Sequence, residues 1–195
     1  MLQTDRADFC ENDPYDDCPQ PIGYKATISA PHMHAFALEA AFLFINRDQP
    51  QRVLDVGSGS GYLSVAFAKL LGPNGKVFGI EHIQPLIDLS RTNTTRNNAD
   101  LLRTGKIHFI CEDGRHGFVP GSPYDIVHVG ASAEDVPNDL IDQTRPGGII
   151  IIPVGSLKDY QIMKIYKKKA DGSLADISQS SWTVRYVPLT DVPYI

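Results

Sequence analysis

"LDVGSGSGY", Leu54 to Tyr62, decides how the chain is read. It joins "RVLDV" (52–56), a short apolar run of the kind that forms a buried strand, to "YLSVAFAKLLG" (62–72). The second stretch has the length of a helix and a closing Gly72-Pro73 to stop it. The alternation continues outward from there. "KVFGIE" (76–81), "KIHFIC" (106–111), "YDIVHVG" (124–130) and "GIIIIPV" (148–154) read as strands, while "QPLIDLSRTNTTRNN" (84–98) and the stretch around "NDLIDQT" (138–144) read as helices. Such a sequence predicts an α/β fold: a doubly wound, mostly parallel sheet with helices on both faces, where right-handed crossovers place them. After it, "YQIMKIYKKK", a hairpin-type "ADGS" and an alternating "SWTVRYVPL" predict an antiparallel C-terminal addition. Ahead of it, residues 5–24 show no period and read as an irregular, partly packed segment. Pro31 to Asn46 is apolar nearly all round, which suits a helix buried on most sides with Pro31 in its first turn.

A chain of 195 residues is long enough for one full core, and 42% hydrophobic with 21% charged residues is ordinary for a globular domain. A net charge of -5 argues against a nucleic-acid partner or an anionic membrane, either of which favours a basic face. Apolar runs such as "AAFLFI" fall far short of the ~18 residues that span a bilayer. No secretory signal follows Met1. Cys10, Cys18 and Cys111 are odd in number and lack CxxC spacing, so neither a disulfide framework nor a metal site is expected, and a reducing, cytoplasmic location is.

In an open parallel sheet the ligand sits outside the carboxyl ends of the strands, which is where this loop falls. Gly57, Gly59 and Gly61 permit positive φ and leave bare backbone for a ligand to approach. A dinucleotide asks for G-x-G-x-x-G with its pyrophosphate on the helix N-terminus; here the spacing is G-x-G-x-G and the third dinucleotide glycine is replaced by Tyr62. Asp55, two residues before the first glycine, would repel a pyrophosphate and attract the sulfonium and ammonium of S-adenosylmethionine. Charge therefore favours the methyl donor over a nicotinamide cofactor. Glu81, about twenty residues after the glycines, is placed to take both ribose hydroxyls, and Asp113 with Gly114 past the next strand to face the adenine amine. Any one acid at a strand tip reads as a solvated cap; three along one edge point to a nucleoside carrying positive charge.

With that loop placed, the chain resembles the protein-L-isoaspartate O-methyltransferase family in its eukaryotic form. The resemblance runs along nearly the whole chain. It is carried by "ATISAPHMHAFALE" (26–39), "LDVGSGSGYL" (54–63), "DGRHG" (113–117), "YDIVHVGASA" (124–133), "LIDQTRPGG" (140–148) and "YVPLTD" (186–191). It implies a Rossmann-like S-adenosylmethionine-dependent methyltransferase fold and a single domain over residues 1–195 that lacks the family's N-terminal helical segment. It also implies transfer of the methyl of S-adenosyl-L-methionine to the free carboxylate of L-isoaspartyl residues in damaged proteins and peptides. S-adenosyl-L-homocysteine is the by-product, and the ester closes to a succinimide that reopens partly to aspartate. The cofactor-contacting positions it implies are Ala26, Thr27, Ile28, Ser29, His34, Ser60, Glu81, His82, Asp113, Gly114 and Thr190, joined by Asp55, Gly57, Ser58, Gly59 and Gly61 from the loop. Ser29 matches the active-site serine. No nucleic acid, membrane or metal partner is expected, and the chain is expected to be a monomer.

A carboxylate nucleophile with an ordinary pKa near ~4 is ionised at neutral pH, so no general base is required and Ser29 with His34 is not a Ser–His dyad. The catalytic work is alignment of the carboxylate oxygen with the methyl, opposite the sulfonium. Ser29 is expected to orient that carboxylate, unless its hydroxyl is spent on free N–H groups at the start of the following helix. His34 reads equally as a packed core residue or a cofactor contact, while His32 and His128 read as packing. "VRYVPL" offers an extended edge that could pair with a substrate backbone and so accept many flanking sequences.

Overall fold

A run such as "GIIIIPV" stays put only if both of its faces are dry, and the chain builds that environment around it. The computed structural model describes residues 1, 3–156, 159–179 and 182–189. Its strands are β1 (Gln20–Gly23), β2 (Ala26–Ile28), β3 (Arg52–Val56), β4 (Lys76–Glu81), β5 (Ile107–Cys111), β6 (Tyr124–Val129), β7 (Thr144–Gly155), β8 (Gln161–Lys168), β9 (Leu174–Asp176) and β10 (Trp182–Val184). Its α-helices are α1 (Pro31–Phe42), α2 (Tyr62–Leu70), α3 (Gln84–Arg103) and α4 (Asn138–Gln143). The main sheet runs β10-β8-β7-β6-β3-β4-β5, with β9 pairing the far end of β8. Strands β3 to β7 pair in parallel, while β8 pairs antiparallel with β7, β9 and β10.

Along β7, Ile149 and Ile151 enter one core with Val53, Phe67, Val77 and Ile126, and Ile150 and Ile152 enter the other with Leu54, Val56, Ile80 and Val127. Burial on both faces is why these strands are continuous apolar runs rather than alternating ones. The first face carries α2 and much of α1 and α3. The second carries less: α4, six residues long, and two 3-10 turns at Gly114–His116 and Val119–Gly121. Helices thus lie on both faces, unevenly.

Three local expectations differ from what is found. The helix from Pro31 ends at Phe42, because the N–H of Asn46 is taken by Gln51 Oε1 at 2.6 Å and the chain turns. Its outer face is open, with Phe42 and Leu43 60% and 74% exposed. The helix from Gln84 runs on to Arg103 through a non-helical Asn98. The irregular segment contains β1, which folds back on β2 through Tyr24 and Lys25, both left-handed with φ of 52° and 59°. Neither residue favours that conformation, so no turn signal was visible.

The segment before β1 plugs the end of the first core. Asp5 caps a 3-10 turn at Arg6–Asp8, and Arg6 and Phe9 go under α1 and α2. Arg6 Nη1 lies 3.2 Å from His34 Nδ1, and the His34 ring lies 4.8 Å from Tyr62. Burial, then the nearby charges of Arg6, His128 and His32, hold the imidazole well below its ordinary range. A base whose folded pKa is depressed costs stability once the unfolded chain binds its proton, that is, below about pH 6.5. Lowering the pH from 7 to 5 is therefore expected to weaken the fold by up to ~1.4 kcal/mol per unit from this residue. Urea unfolding at each pH should show a shallower dependence for His34→Asn than for the parent.

Candidate active site

The strand order reverses between β3 and β6, and the glycine loop leaves β3 at that point. Gly57, Gly59 and Gly61 all have positive φ (77°, 50° and 87°). The N–H groups of Gly57 and Ser58 both donate to the Ile80 carbonyl at 2.8 and 2.9 Å, tying the loop to the end of β4. At Gly61 a Cβ would come within 3.0 Å of Ser90 and 3.1 Å of Phe109, so the chain passes there only without a side chain.

A cavity of about 280 Å3 opens above this loop. Its floor is Gly57 and Gly59; its sides are Glu81, His82 and Ile83 from the end of β4, Gly114, and Gly130 and Ala131 after β6. The β1–β2 hairpin (Tyr24 to Thr27) and the tail Val187 to Leu189 complete it. The tail is pinned: Ser132 N donates to Val187 O and Leu189 N to Ser132 O, each at 2.8 Å. Gly114 is required where it stands, since a Cβ would lie 2.4 Å from Val56 Cγ1.

Glu81 is the acid that lines this cavity. Burial pushes its carboxyl up, and the His82 imidazole and the N–H groups of Ile83, Gly59 and His82 pull it back down. The Ile83 N–H lies 3.2 Å from Oε1. A carboxylate fixed to backbone in this way presents its remaining lone pairs in set directions, as recognition of a vicinal diol demands. The bare glycine floor, a diol acceptor at the next strand tip and a glycine too crowded to replace suit an adenosine moiety. Ser58 Oγ, buried without a partner among the described residues, adds a polar atom to the same loop. The residues fit an S-adenosyl ligand.

The expected ring of three acids is not what the fold builds. Asp55 is 1% exposed and does not line the cavity; its oxygens take Ser64 Oγ at 2.5 Å and His128 Nδ1 at 2.8 Å. Asp and His sit side by side in the β3–β6 register, so His128, expected only to pack, holds the carboxylate. Asp113 stands beside the cavity with its carboxylate bound by Arg115, which keeps it below the usual range. Local attraction for the sulfonium therefore does not come from three free carboxylates.

Of the other expected residues, Ala26, Thr27, Gly57, Gly59, Glu81, His82 and Gly114 line the cavity. Ser60 is buried in the loop, its carbonyl accepting from Asn93 Nδ2 at 3.1 Å. Ile28 turns into the core, and His34 lies below, against Arg6 and Tyr62. Thr190 lies outside the described residues. Ser29 lines an adjoining cleft of about 700 Å3, which shares Thr27, Gly130, Val187 and Pro188 with the cavity. It does not cap α1: the N-cap is Ala30, and Asp17 Oδ1 accepts the His32 N–H at 3.0 Å. The Ser29 hydroxyl is instead left to the cleft, which Tyr186 also lines. The hairpin residues Tyr24 and Lys25, and Ile83, also line the cavity and were not indicated by the sequence, because each depends on tertiary approach rather than on a local pattern. A larger groove, about 860 Å3, lies along the outer face of α1, but its lining is largely Phe36, Phe42, Leu43, Trp182 and other apolar residues and offers no reactive set.

Replacing Glu81 by Ala should lower the affinity for S-adenosylhomocysteine about ten- to a hundredfold, the usual value of hydrogen bonds to an ionised group. Titration calorimetry on the folded variant measures it.

A family profile described as protein-L-isoaspartate(D-aspartate) O-methyltransferase matches residues 1–193. A wheat protein named protein-L-isoaspartate O-methyltransferase is 47% identical over 97% of this chain and 81% of its own length. One of the same name from Caenorhabditis elegans is 44% identical over 97% and 82%. A solved structure from Plasmodium falciparum, assigned to the same enzyme class and in complex with S-adenosyl-L-homocysteine, superposes with a TM-score of 0.86. It is 32% identical and covers 97% of this chain and 88% of that one. The glycine floor, the acid on β4 and the serine-lined cleft beside them are thus found in a sequence that matches one family from end to end: the chain belongs to the protein-L-isoaspartate(D-aspartate) O-methyltransferase family.

Proposed function

We propose that the chain methylates the free carboxylate of L-isoaspartyl residues in damaged proteins and peptides, with S-adenosyl-L-methionine as donor. The methyl ester then closes to a succinimide, which begins repair. The observation that carries this reading is the continuity of the two spaces: the Glu81 cavity shares Thr27, Gly130, Val187 and Pro188 with the cleft that Ser29 and Tyr186 line. A nucleoside in the first would direct its reactive end at an acceptor in the second.

When bound, the donor supplies a methyl group on a sulfonium; the residues of this chain align and desolvate. Ser29 and Tyr186 line the same cleft, and each hydroxyl has an O–H that can be donated to an incoming carboxylate. Tyr186 is fixed from behind, its N–H 2.9 Å from Gln161 Oε1. Holding the acceptor oxygen in line with the methyl is worth up to ~7–11 kcal/mol of the barrier, more than any proton transfer could add for a nucleophile that is already an anion. Glu81 and the glycine floor hold the nucleoside, with Ala26, Thr27 and His82 around it.

The cleft also accounts for tolerance of flanking sequence. Ser132 already engages the Tyr186 and Val187 carbonyls, with its Oγ 3.3 Å from each. The extended edge expected over "VRYVPL" is thereby shortened, and the backbone of Arg185 is the part of it left for a substrate. Selection then rests on the extra methylene of isoaspartate, which moves its carboxylate relative to the backbone. No helix among the described residues is long and apolar enough to cross a membrane. Cys10, Cys18 and Cys111 are unpaired, which supports a reducing, cytoplasmic setting, and a monomer is proposed with it.

Methyl transfer to paired peptides that differ only in isoaspartate or aspartate tests the activity. Turnover of the first and none of the second is expected; equal methylation of both refutes the selectivity. Ser29→Ala should cut kcat about ten- to a hundredfold while the affinity for S-adenosylhomocysteine changes little.

A further inference from the structure

The cleft that Ser29 lines has an uneven charge. Of the described residues around it, Arg185 alone carries a full charge; the rest are uncharged apart from His32, an imidazole held 2.8 Å from Asp17 Oδ1. Arg185 is exposed, and its guanidinium makes no hydrogen bond or ion pair with a described residue. It follows directly on β10, the outermost strand of the main sheet. Val184 before it enters the first core and Tyr186 after it packs against that core, so the Arg185 side chain is turned to the open side. In a protein of net charge -5, an unpaired guanidinium along an acceptor cleft selects by charge.

A peptide substrate offers that guanidinium two kinds of carboxylate. One is the isoaspartyl carboxylate that takes the methyl. It enters the reaction as an anion and leaves as a neutral ester, so a guanidinium paired with it loses its partner as the transition state forms. Such a pair holds the ground state more tightly than the transition state and slows the chemical step. The other kind is a carboxylate that does not react, on a residue beside the isoaspartate. Its charge is the same throughout, so pairing with it tightens binding at no cost to the chemistry. The open backbone of Arg185 favours this second kind. A substrate chain lying along it brings one of its own side chains opposite Arg185, with about 5 Å between Cβ atoms.

We infer that Arg185 is a specificity-determining residue: its guanidinium pairs with an acidic side chain next to the isoaspartate, so the enzyme favours damage sites with an acidic neighbour over those with a basic one. The inference rests on the isoaspartyl reading of the cleft and deepens it. Backbone pairing admits many flanking sequences, and Arg185 grades them by charge. The pair stays open to solvent, so it is worth a few-fold in binding and weakens as salt rises.

The test uses isoaspartyl peptides with glutamate, glutamine or lysine at either neighbouring position, on the parent chain, Arg185→Gln and Arg185→Glu. On the parent, glutamate at the neighbour opposite Arg185 is expected to lower KM about two- to fivefold against glutamine, and lysine to raise it about as much. The spread should shrink at high salt. Arg185→Gln should level the three KM values, and Arg185→Glu should reverse their order. Equal KM values on the parent at both positions, or a spread that survives Arg185→Gln, overturns the inference. So does a change in Arg185→Gln that is the same for all three peptides, which places the guanidinium on the reacting carboxylate. Should neither variant fold, the parent decides: its KM order must be glutamate, glutamine, lysine and must flatten with salt, and any other order sinks the role of Arg185. A parent that methylates every peptide equally keeps its isoaspartyl activity and loses only this inference. A parent that methylates none refutes that activity, and the inference with it.

Discussion

The active site depends on a carboxylate that never reaches it. Asp55 is sealed under the glycine loop, one oxygen on Ser64 in α2 and the other on His128 in β6. The loop runs from β3 to α2 between those anchors, so its shape is set from below. The Ile80 carbonyl then fixes it sideways to β4, which brings Glu81 level with the glycines. A buried carboxylate is tolerable only while its partners remain, and removing one of them leaves a charge that several kcal/mol of packing must offset. Site geometry and fold stability are here the same hydrogen bonds.

How much was legible follows from what kind of force places each part. β3 and β4 begin and end where the sequence says, since a run buried on both faces has no other place to be. The antiparallel addition was legible for a similar reason, with Gly172 marking its turn at φ 87°. The β1–β2 hairpin was hidden because Tyr24 and Lys25 are poor turn formers that tertiary contacts force into place. The side-chain partners were hidden more deeply. Sequence puts Asp55, Glu81 and Asp113 at successive strand tips, but says nothing of His128 one strand over or of Arg115 reaching back. Two of the three acids are claimed by those neighbours, and one is left for a ligand.

Ser29 shows the reverse case. By residue type it could have capped the helix that follows, as serines at that position often do. Asp17, twelve residues earlier and outside any regular element, takes that N–H instead. The hydroxyl is thereby left to the cleft, which Tyr186 also lines. A distant aspartate thus leaves the serine side chain to the cleft.

The two walls over the cavity differ in what holds them. The tail is tied to Ser132 through backbone bonds on both sides of Pro188. The hairpin roof holds two non-glycine residues in left-handed backbone, a conformation that costs roughly 1–2 kcal/mol each. That cost is internal to the turn and is held by the hairpin's own pairing, Gly23 opposite Ala26. The tail is held instead by bonds to the loop after β6, so one wall is shaped from within and the other from outside.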